Sequence, residues 1–249
     1  MNIRRKIIAF VIAILVHFIA LDGVQAQDVK AVSSDQETME RLNFISRSLL
    51  EGESNATLWY WSWTGLFCTS TVTQLSLFFA VDIVNPGNRD HFRQDQMTGV
   101  ITSAIGVIGM AFTPMVPSYA LDRYKNMPEE TPEERIAKLR EAEYWLKKSS
   151  EREENGRSWI SHTMNFAINL AAGLTIWLGF NRPLKDGLIT FVPGILVGEL
   201  QICTVPNRAT YDLRAYKRRY MAGTMPKRDD DTNWFFSVCP GGIVAGLHF

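Results

Sequence analysis

The stretches GVIT at positions 99–102 and GLIT at positions 187–190 decide the fold, because each opens an apolar segment of similar length. They lie 88 positions apart. A second matched pair, Ser-Trp at 62–63 and Ser-Trp at 158–159, lies 96 positions apart and also precedes apolar segments. Matches that recur in the same order at nearly constant spacing predict a tandem duplication of the chain.

A third matched pair opens two charged segments, Glu-Arg-Leu at 40–42 and Glu-Arg-Ile at 134–136, at a spacing of 94 positions. The duplication therefore divides the chain into repeat 1, residues 27–130, and repeat 2, residues 131–232. The alternative is two unrelated membrane hairpins of similar composition.

The N-terminal residues 1–26 have the three parts of a secretory signal peptide. Positions 4–6 are Arg-Arg-Lys, positions 7–21 are largely apolar, and positions 24–26 offer small residues for cleavage. The mature chain is therefore expected to begin at Gln27. The alternative is an uncleaved membrane anchor, for which the apolar part is short.

The composition excludes several classes of function. The 26 basic and 26 acidic residues cancel, so no bulk charge attracts nucleic acid, and none is predicted as a partner. The three cysteines, Cys68, Cys203 and Cys239, lack the spacing of metal ligands, and their odd number argues against a disulfide framework. Cys68 and Cys203 are expected to be small core residues.

Each repeat begins with a capped amphipathic helix. Ser34-x-x-Glu37 forms a capping box in repeat 1, and Gly52 is expected to end the helix that follows. The apolar stripe of this helix comprises Met39, Leu42, Ile45 and Leu49.

The second helix has the same signals. Residues 131–134, Thr-Pro-Glu-Glu, combine a capping box with proline at the first helical position, and Asn155-Gly156 is a stop signal. Its stripe comprises Ile136, Leu139, Ala142 and Leu146. Both helices are charged on their other faces, so we expect them in water or along a membrane surface.

Four apolar segments follow, two in each repeat, at about 58–84, 97–117, 159–180 and 188–205. Each approaches the ~20 residues that a helix needs to cross the hydrocarbon of a bilayer. Their polar content suits helices that pack against one another. The predicted fold class is therefore all-α, an integral membrane four-helix bundle from a tandem duplication, with the lipid bilayer as its surroundings.

Two spans in each repeat place both charged helices on the same side of the membrane. A signal cleaved in a bacterium would make that side periplasmic and the location the inner membrane. The short connections carry Arg89, Arg93, Arg182 and Lys185 and agree with the positive-inside rule, whereas the basic stretch 208–219 does not.

Two C-terminal features are distinct from the repeats. The basic stretch 208–219 is interpreted as an amphipathic helix on lipid headgroups, or alternatively as a docking segment for an acidic partner. Residues 233–249 contain two short alternating runs around Pro240-Gly241-Gly242, which predict a small β-hairpin. The capped helices disfavour the alternative of a whole-chain β-barrel.

No catalytic, metal-binding or cofactor-binding motif is present, which favours a protein other than an enzyme. The notable polar residues lie inside the apolar segments: Glu199, His162, Asn165, Asn169 and Gln74. A short loop makes the third and fourth segments antiparallel neighbours, so Glu199 should meet His162 or Asn165. These residues either form hydrogen bonds between the helices or make up a site for an ion, a proton or a small polar ligand.

The leading hypothesis is a structural or accessory multi-pass membrane protein of the cell envelope. It would bind an envelope protein or a second copy through its extramembrane helices, using the stripe of Leu139 and Leu146. The alternative hypothesis is a small channel or transporter with its polar site at Glu199, His162 and Asn165.

Overall fold

The computed structural model describes residues 34–221 and the two strands 233–239 and 242–248. The predicted signal peptide lies outside the described residues. Residues 34–221 are helical, in keeping with the all-α class. The helices are α1 (Asp35–Phe79), α2 (Val81–Val84), α3 (Arg89–Phe112), α4 (Ala120–Tyr124), α5 (Pro132–Gly156), α6 (Trp159–Leu174), α7 (Leu184–Cys203) and α8 (Arg208–Tyr220).

Helix α1 begins where its capping signal places it, since the Ser34 hydroxyl oxygen accepts the backbone N–H of Glu37 at 3.2 Å. The prediction that it ends at Gly52 is wrong, because α1 continues for 45 residues without a break. Glycine costs only ~1 kcal/mol relative to alanine inside a helix. Gly52 is buried and its neighbours Ala56 and Trp59 are also buried, so packing on both sides offsets that cost.

Helix α5 follows its sequence signals closely. Thr131 Oγ1 accepts the N–H of Glu134 at 3.2 Å, and the Glu134 carboxylate accepts the N–H of Thr131 at 3.0 Å. Pro132 occupies the first turn and the helix ends at Gly156, as predicted.

The described helices contribute to two compact units. One, the hairpin unit, contains residues 69–105 and 164–195. The other, the head unit, contains residues 35–68, 106–163 and 196–221 among those described.

The core of the head unit lies between the first half of α1, α4, α5 and α8. Its buried residues are Leu42, Ile45, Leu49, Val116, Ala120, Tyr124, Leu139, Ala142, Leu146 and Tyr216. The apolar stripes of both amphipathic helices therefore face this core. The prediction that Leu139 and Leu146 are available to a partner is wrong, because they are 6% and 0% exposed.

Helix α8 packs along α5 and runs antiparallel to it. Near its start, Thr210 meets Glu153, and two turns later Tyr216 meets Glu143. The basic last turn of α8 therefore points away from the end of α5 that leads into α6. The interpretation of this stretch as a helix on lipid headgroups stays a prediction, because these contacts cover one face of α8 and leave Tyr211 59% exposed.

In the hairpin unit, α6 and α7 approach each other through glycines. A Cβ at Gly173 would lie 2.9 Å from the Gly187 carbonyl oxygen, and one at Gly187 would lie 2.7 Å from that of Gly173. Helices α1 and α3 are joined by a hydrogen bond from the Thr71 hydroxyl to Ser103 Oγ at 2.8 Å. Small residues and buried hydroxyl pairs are typical of helices that associate in lipid.

The four predicted apolar segments are all helical, with some boundaries moved. Two helical stretches, Arg89–Phe112 and Leu184–Tyr220, are long and apolar enough to cross a membrane. Helix α6 has 16 regular residues and continues as a π-helix over Thr175–Gly179. The chain then turns through Asn181, which adopts the left-handed conformation with φ 57°.

The last described elements are two strands, β1 (Asn233–Cys239) and β2 (Gly242–His248). They pair antiparallel, with Phe236 opposite Ala245. The strands fall within residues 233–249, where the hairpin was predicted.

Candidate functional site

His162 and Glu199 lie in direct contact in the head unit. His162 is in the first turn of α6 and Glu199 is in the last turn but one of α7, and the antiparallel helices bring the two side chains to one level. His162 Nδ1 and Glu199 Oε2 are 2.7 Å apart. The histidine side chain is 30% exposed and the glutamate 15%. The expected contact between α6 and α7 is therefore present.

Asn165 and Asn169 lie on the same face of α6, in the hairpin unit. Asn165 donates a hydrogen bond to the Ile195 carbonyl of α7 at 3.1 Å, and Asn169 donates to Asn165 Oδ1 at 2.8 Å. Pro193 lies just before Ile195 and lacks the N–H of a regular helix. The asparagines thus bind α6 to α7 beside a weakened part of the α7 backbone.

Gln74 is placed between α1 and α3. Its Nε2 donates to Ser70 Oγ at 3.1 Å, and its amide occupies the space that the missing side chain of Gly99 leaves. Its Oε1 is buried and accepts no hydrogen bond. Gln74 therefore belongs to the contact of α1 with α3, whereas the other four predicted site residues belong to α6 and α7.

The pair His162–Glu199 can share or exchange a proton. A neutral imidazole donates to a carboxylate as a hydrogen bond, and a protonated imidazole forms an ion pair with it. Within the described residues, no group of three or more histidine, cysteine, aspartate or glutamate side chains could hold a metal ion. The 2.7 Å contact therefore joins α6 to α7 by a hydrogen bond between side chains.

A buried polar network in the head was not predicted. Arg41 of α1 donates to the Tyr216 hydroxyl oxygen at 2.7 Å and to Glu143 Oε1 at 2.5 Å, and the Tyr216 hydroxyl donates to Glu143. Burial, together with the nearby Glu143 carboxylate, raises the pKa of Tyr216 well above its usual range. The network joins α1, α5 and α8. The available signal was Tyr216 itself, which the predicted duplication pairs with Tyr124, also buried.

Glu153 of α5 caps a different helix. Its carboxylate accepts the backbone N–H of Thr210 at 2.9 Å and lies at the start of α8, where the Asn207 side chain makes no capping bond. A carboxylate at a helix N-terminus is favoured by the helix dipole. Glu153 is 2% exposed, and this burial raises its pKa. Its place in a charged run concealed it, although it continues the spacing of the α5 stripe.

An open cleft of about 250 Å³ adjoins Glu153, where α5 ends and α8 begins. Its lining comprises Glu153, Glu154, Arg157, Asn207, Thr210, Tyr211 and Arg214. No single segment of the sequence holds these residues, so the cleft could not be predicted.

In the described part of the chain, Cys68 is exposed and Cys203 is half-buried. The prediction of Cys68 as a core residue is wrong, because it lies on the outward face of α1. No known protein family, no curated protein and no solved structure matches this chain.

Proposed function

We propose that the chain is a multi-pass membrane protein with four spans and a folded extramembrane head, and that it serves as an accessory protein of the cell envelope. The extramembrane head is the part of the head unit built from the first half of α1, α4, α5 and α8. The observation that carries this proposal is the exposure of large apolar side chains along the apolar helices. Phe79, Ile83 and Phe112 are 73%, 86% and 83% exposed. Contiguous apolar surface of this kind requires a covering such as lipid.

The contrast within the chain supports the same conclusion. In the amphipathic part of α1, in α5 and in α8, the large apolar side chains that remain exposed are Leu50, Tyr144 and Tyr211. These amphipathic helices therefore have the surface of a protein in water, and the apolar helices do not.

Contacts inside the head support four spans rather than two. Arg41 of α1 touches Glu143 of α5, so both lie on one side of a membrane. If α3 crossed alone, the two residues would lie on opposite sides, which favours a second crossing by the second half of α1. The contact of Glu153 with Thr210 in the same way favours two crossings, by α6 and by α7.

The polar character of α1 and the shortness of α6 are compatible with spanning. The Thr71 hydroxyl of α1 is hydrogen bonded to Ser103 and costs little in lipid. The regular part of α6 has 16 residues and the π-helix adds 5. At ~1.5 Å per residue, this length approaches the ~30 Å of the hydrocarbon.

Burial along α1 and α5 supports the duplication. Of the ten buried positions of α1, six have a buried residue 97 positions later in α5, a spacing three residues longer than that of the Glu-Arg match at 40 and 134. The pairs are 41 with 138, 42 with 139, 45 with 142, 49 with 146, 52 with 149, and 56 with 153. The two capping boxes, which begin at Ser34 and Thr131, have the same spacing.

We propose further that the head is periplasmic on a bacterial inner membrane. Arg182, in the connection between α6 and α7, pairs with Asp95 at 2.5 Å and with Asp186 at 3.0 Å, and basic residues in short connections are typical of the cytoplasmic side. The basic residues of α8 belong to a folded head, and folded domains cross membranes largely regardless of charge. A partner, an envelope protein or a second copy, would meet the exposed faces of the head rather than its buried stripe.

Thiol labelling in intact cells tests the topology. With the native cysteines replaced by serine, single cysteines are placed at Arg140 in the head and at Gly87 and Lys185 in the hairpin tips, all exposed positions. A membrane-impermeant maleimide should label Arg140→Cys at once, and Gly87→Cys and Lys185→Cys only after permeabilisation. Labelling of the tips alone would invert the orientation. Equal labelling of all three, or release of the protein by alkaline carbonate, would contradict membrane spanning.

A second candidate function is proton transport at the pair His162–Glu199, favoured by their 2.7 Å contact in an apolar setting. In liposomes, the protein should carry a proton flux that Glu199→Gln abolishes, because the amide cannot take up the proton. Glu151→Gln, an exposed change on α5, is the matched control. A flux equal to that of empty liposomes at every pH would leave the pair as an interhelical bond, worth ~0.6 kcal/mol.

A further inference from the structure

The cleft at the junction of α5 and α8 has a charge pattern of its own. Its walls carry two carboxylates, Glu153 and Glu154, and two guanidinium groups, Arg157 and Arg214. The four charges cancel, so the cleft is suited to a ligand that carries both signs rather than to a simple anion or cation.

The lining residues have different tasks. The Glu153 carboxylate accepts the backbone N–H of Thr210 and forms the buried floor of the cleft. Arg157 donates one hydrogen bond to the Cys203 carbonyl at 2.9 Å, which holds its guanidinium near the cleft. Arginine has five donors, so others can serve a ligand.

The rim is formed by Glu154 and Arg214. Their charged atoms are 3.7 Å apart and both side chains are about half exposed, at 53% and 51%. Such an exposed pair is weak and readily exchanges its partner for a better one. A ligand can therefore separate the two, taking the carboxylate for its cation and the guanidinium for its anion.

The position of the cleft points to the source of that ligand. Arg157 comes two residues before Trp159, which begins α6 and is 74% exposed. Asn207 comes shortly after Cys203, which ends α7. Exposed tryptophan at the end of a span marks the level of the lipid headgroups. This step rests on the proposed membrane insertion.

We propose that the cleft binds the headgroup of a zwitterionic phospholipid with a primary ammonium group. The phosphate lies against Arg157 and Arg214, and the ammonium donates to Glu154. A trimethylammonium headgroup has no N–H to donate, and an anionic headgroup is repelled by Glu154. The site thus selects phosphatidylethanolamine over phosphatidylcholine and phosphatidylglycerol.

Native mass spectrometry of the full chain tests the site, after exposure in mild detergent to equal amounts of these three lipids. The wild-type protein should retain phosphatidylethanolamine in several-fold excess over each of the others. In Arg214→Gln, the amount of retained phosphatidylethanolamine should fall to that of phosphatidylcholine. Glu154→Gln should reverse the preference toward phosphatidylglycerol, because it removes a negative charge and leaves both arginines. Arg140 lies on α5, the helix that carries Glu154, and is far from the cleft, so Arg140→Gln should leave the ratio of retained lipids unchanged.

Equal retention of the three lipids by the wild-type protein, or an unchanged ratio in Glu154→Gln, would overturn the headgroup site and leave the membrane proposal standing. Release of the protein from membranes by alkaline carbonate would overturn both. The melting temperature of each variant is measured in the same detergent. If it is unchanged, a change in the lipid ratio comes from the cleft and not from a folding defect.

Discussion

Leu146→Ala is expected to lower the free energy of unfolding of the head by about 2–5 kcal/mol, the usual cost of truncating a buried leucine. Leu146 is 0% exposed and lies in the core that α1, α5 and α8 share. The loss combines the transfer free energy of the removed methyl groups with the cavity they leave. The measurement is chemical unfolding of the purified protein in mild detergent, followed by near-ultraviolet circular dichroism.

Leu50→Ala is the matched control, since Leu50 lies on α1 in the same head but is 59% exposed. It should change the unfolding free energy by no more than ~0.5 kcal/mol. A Leu146→Ala protein as stable as wild type that no longer binds a partner would contradict the core assignment. That result would instead support the prediction that the stripe of Leu139 and Leu146 binds a partner.

The error about Leu139 and Leu146 has a physical cause. Apolar residues at helical spacing identify which face of a helix is covered, but not whether lipid, a partner or the same chain covers it. Here the cover is α1 and α8, whose approach depends on contacts between residues far apart in sequence. The face was therefore predictable and its occupant was not.

Local signals predicted local structure well. The bounds of α5 follow from Thr131, Pro132 and Gly156, whose effects act within one turn of helix. The continuation of α1 through Gly52 was missed, because the burial of Ala56 and Trp59 that sustains it comes from the tertiary fold. A weak local stop signal is overridden when both flanks are packed.

The candidate sites also differ in how far the sequence could predict them. The contact of His162 with Glu199 could be predicted, because two antiparallel helices joined by a short loop bring residues at equal distance from the turn together. The cleft and the network of Arg41 depend on where α8 packs. The basic, aromatic composition of α8 fits a membrane surface as well as a protein surface, so composition alone could not predict that α8 packs on α5.

Glu143→Leu is expected to cost about 3–5 kcal/mol, because it removes the close, largely buried carboxylate partner of the Arg41 guanidinium. Arg41 is 7% exposed, and its remaining acidic partner, Glu37, is 3.6 Å away at the edge of the head. The Tyr216 hydroxyl also loses its acceptor. The change is measured by the same detergent unfolding experiment.

The triple change Arg41→Met, Glu143→Leu and Tyr216→Phe should recover most of this loss, since apolar groups of similar volume avoid the desolvation of buried charges. Arg47→Met is the control, because Arg47 is 82% exposed and pairs with Glu51 at 2.8 Å. It should leave the free energy of unfolding close to that of the wild-type protein, because exposed ion pairs contribute little. If the triple variant is as unstable as Glu143→Leu, the network stabilises the head by its own hydrogen bonds. If it recovers, the network instead specifies how α8 docks on α1 and α5, which also determines the shape of the cleft beside Glu153.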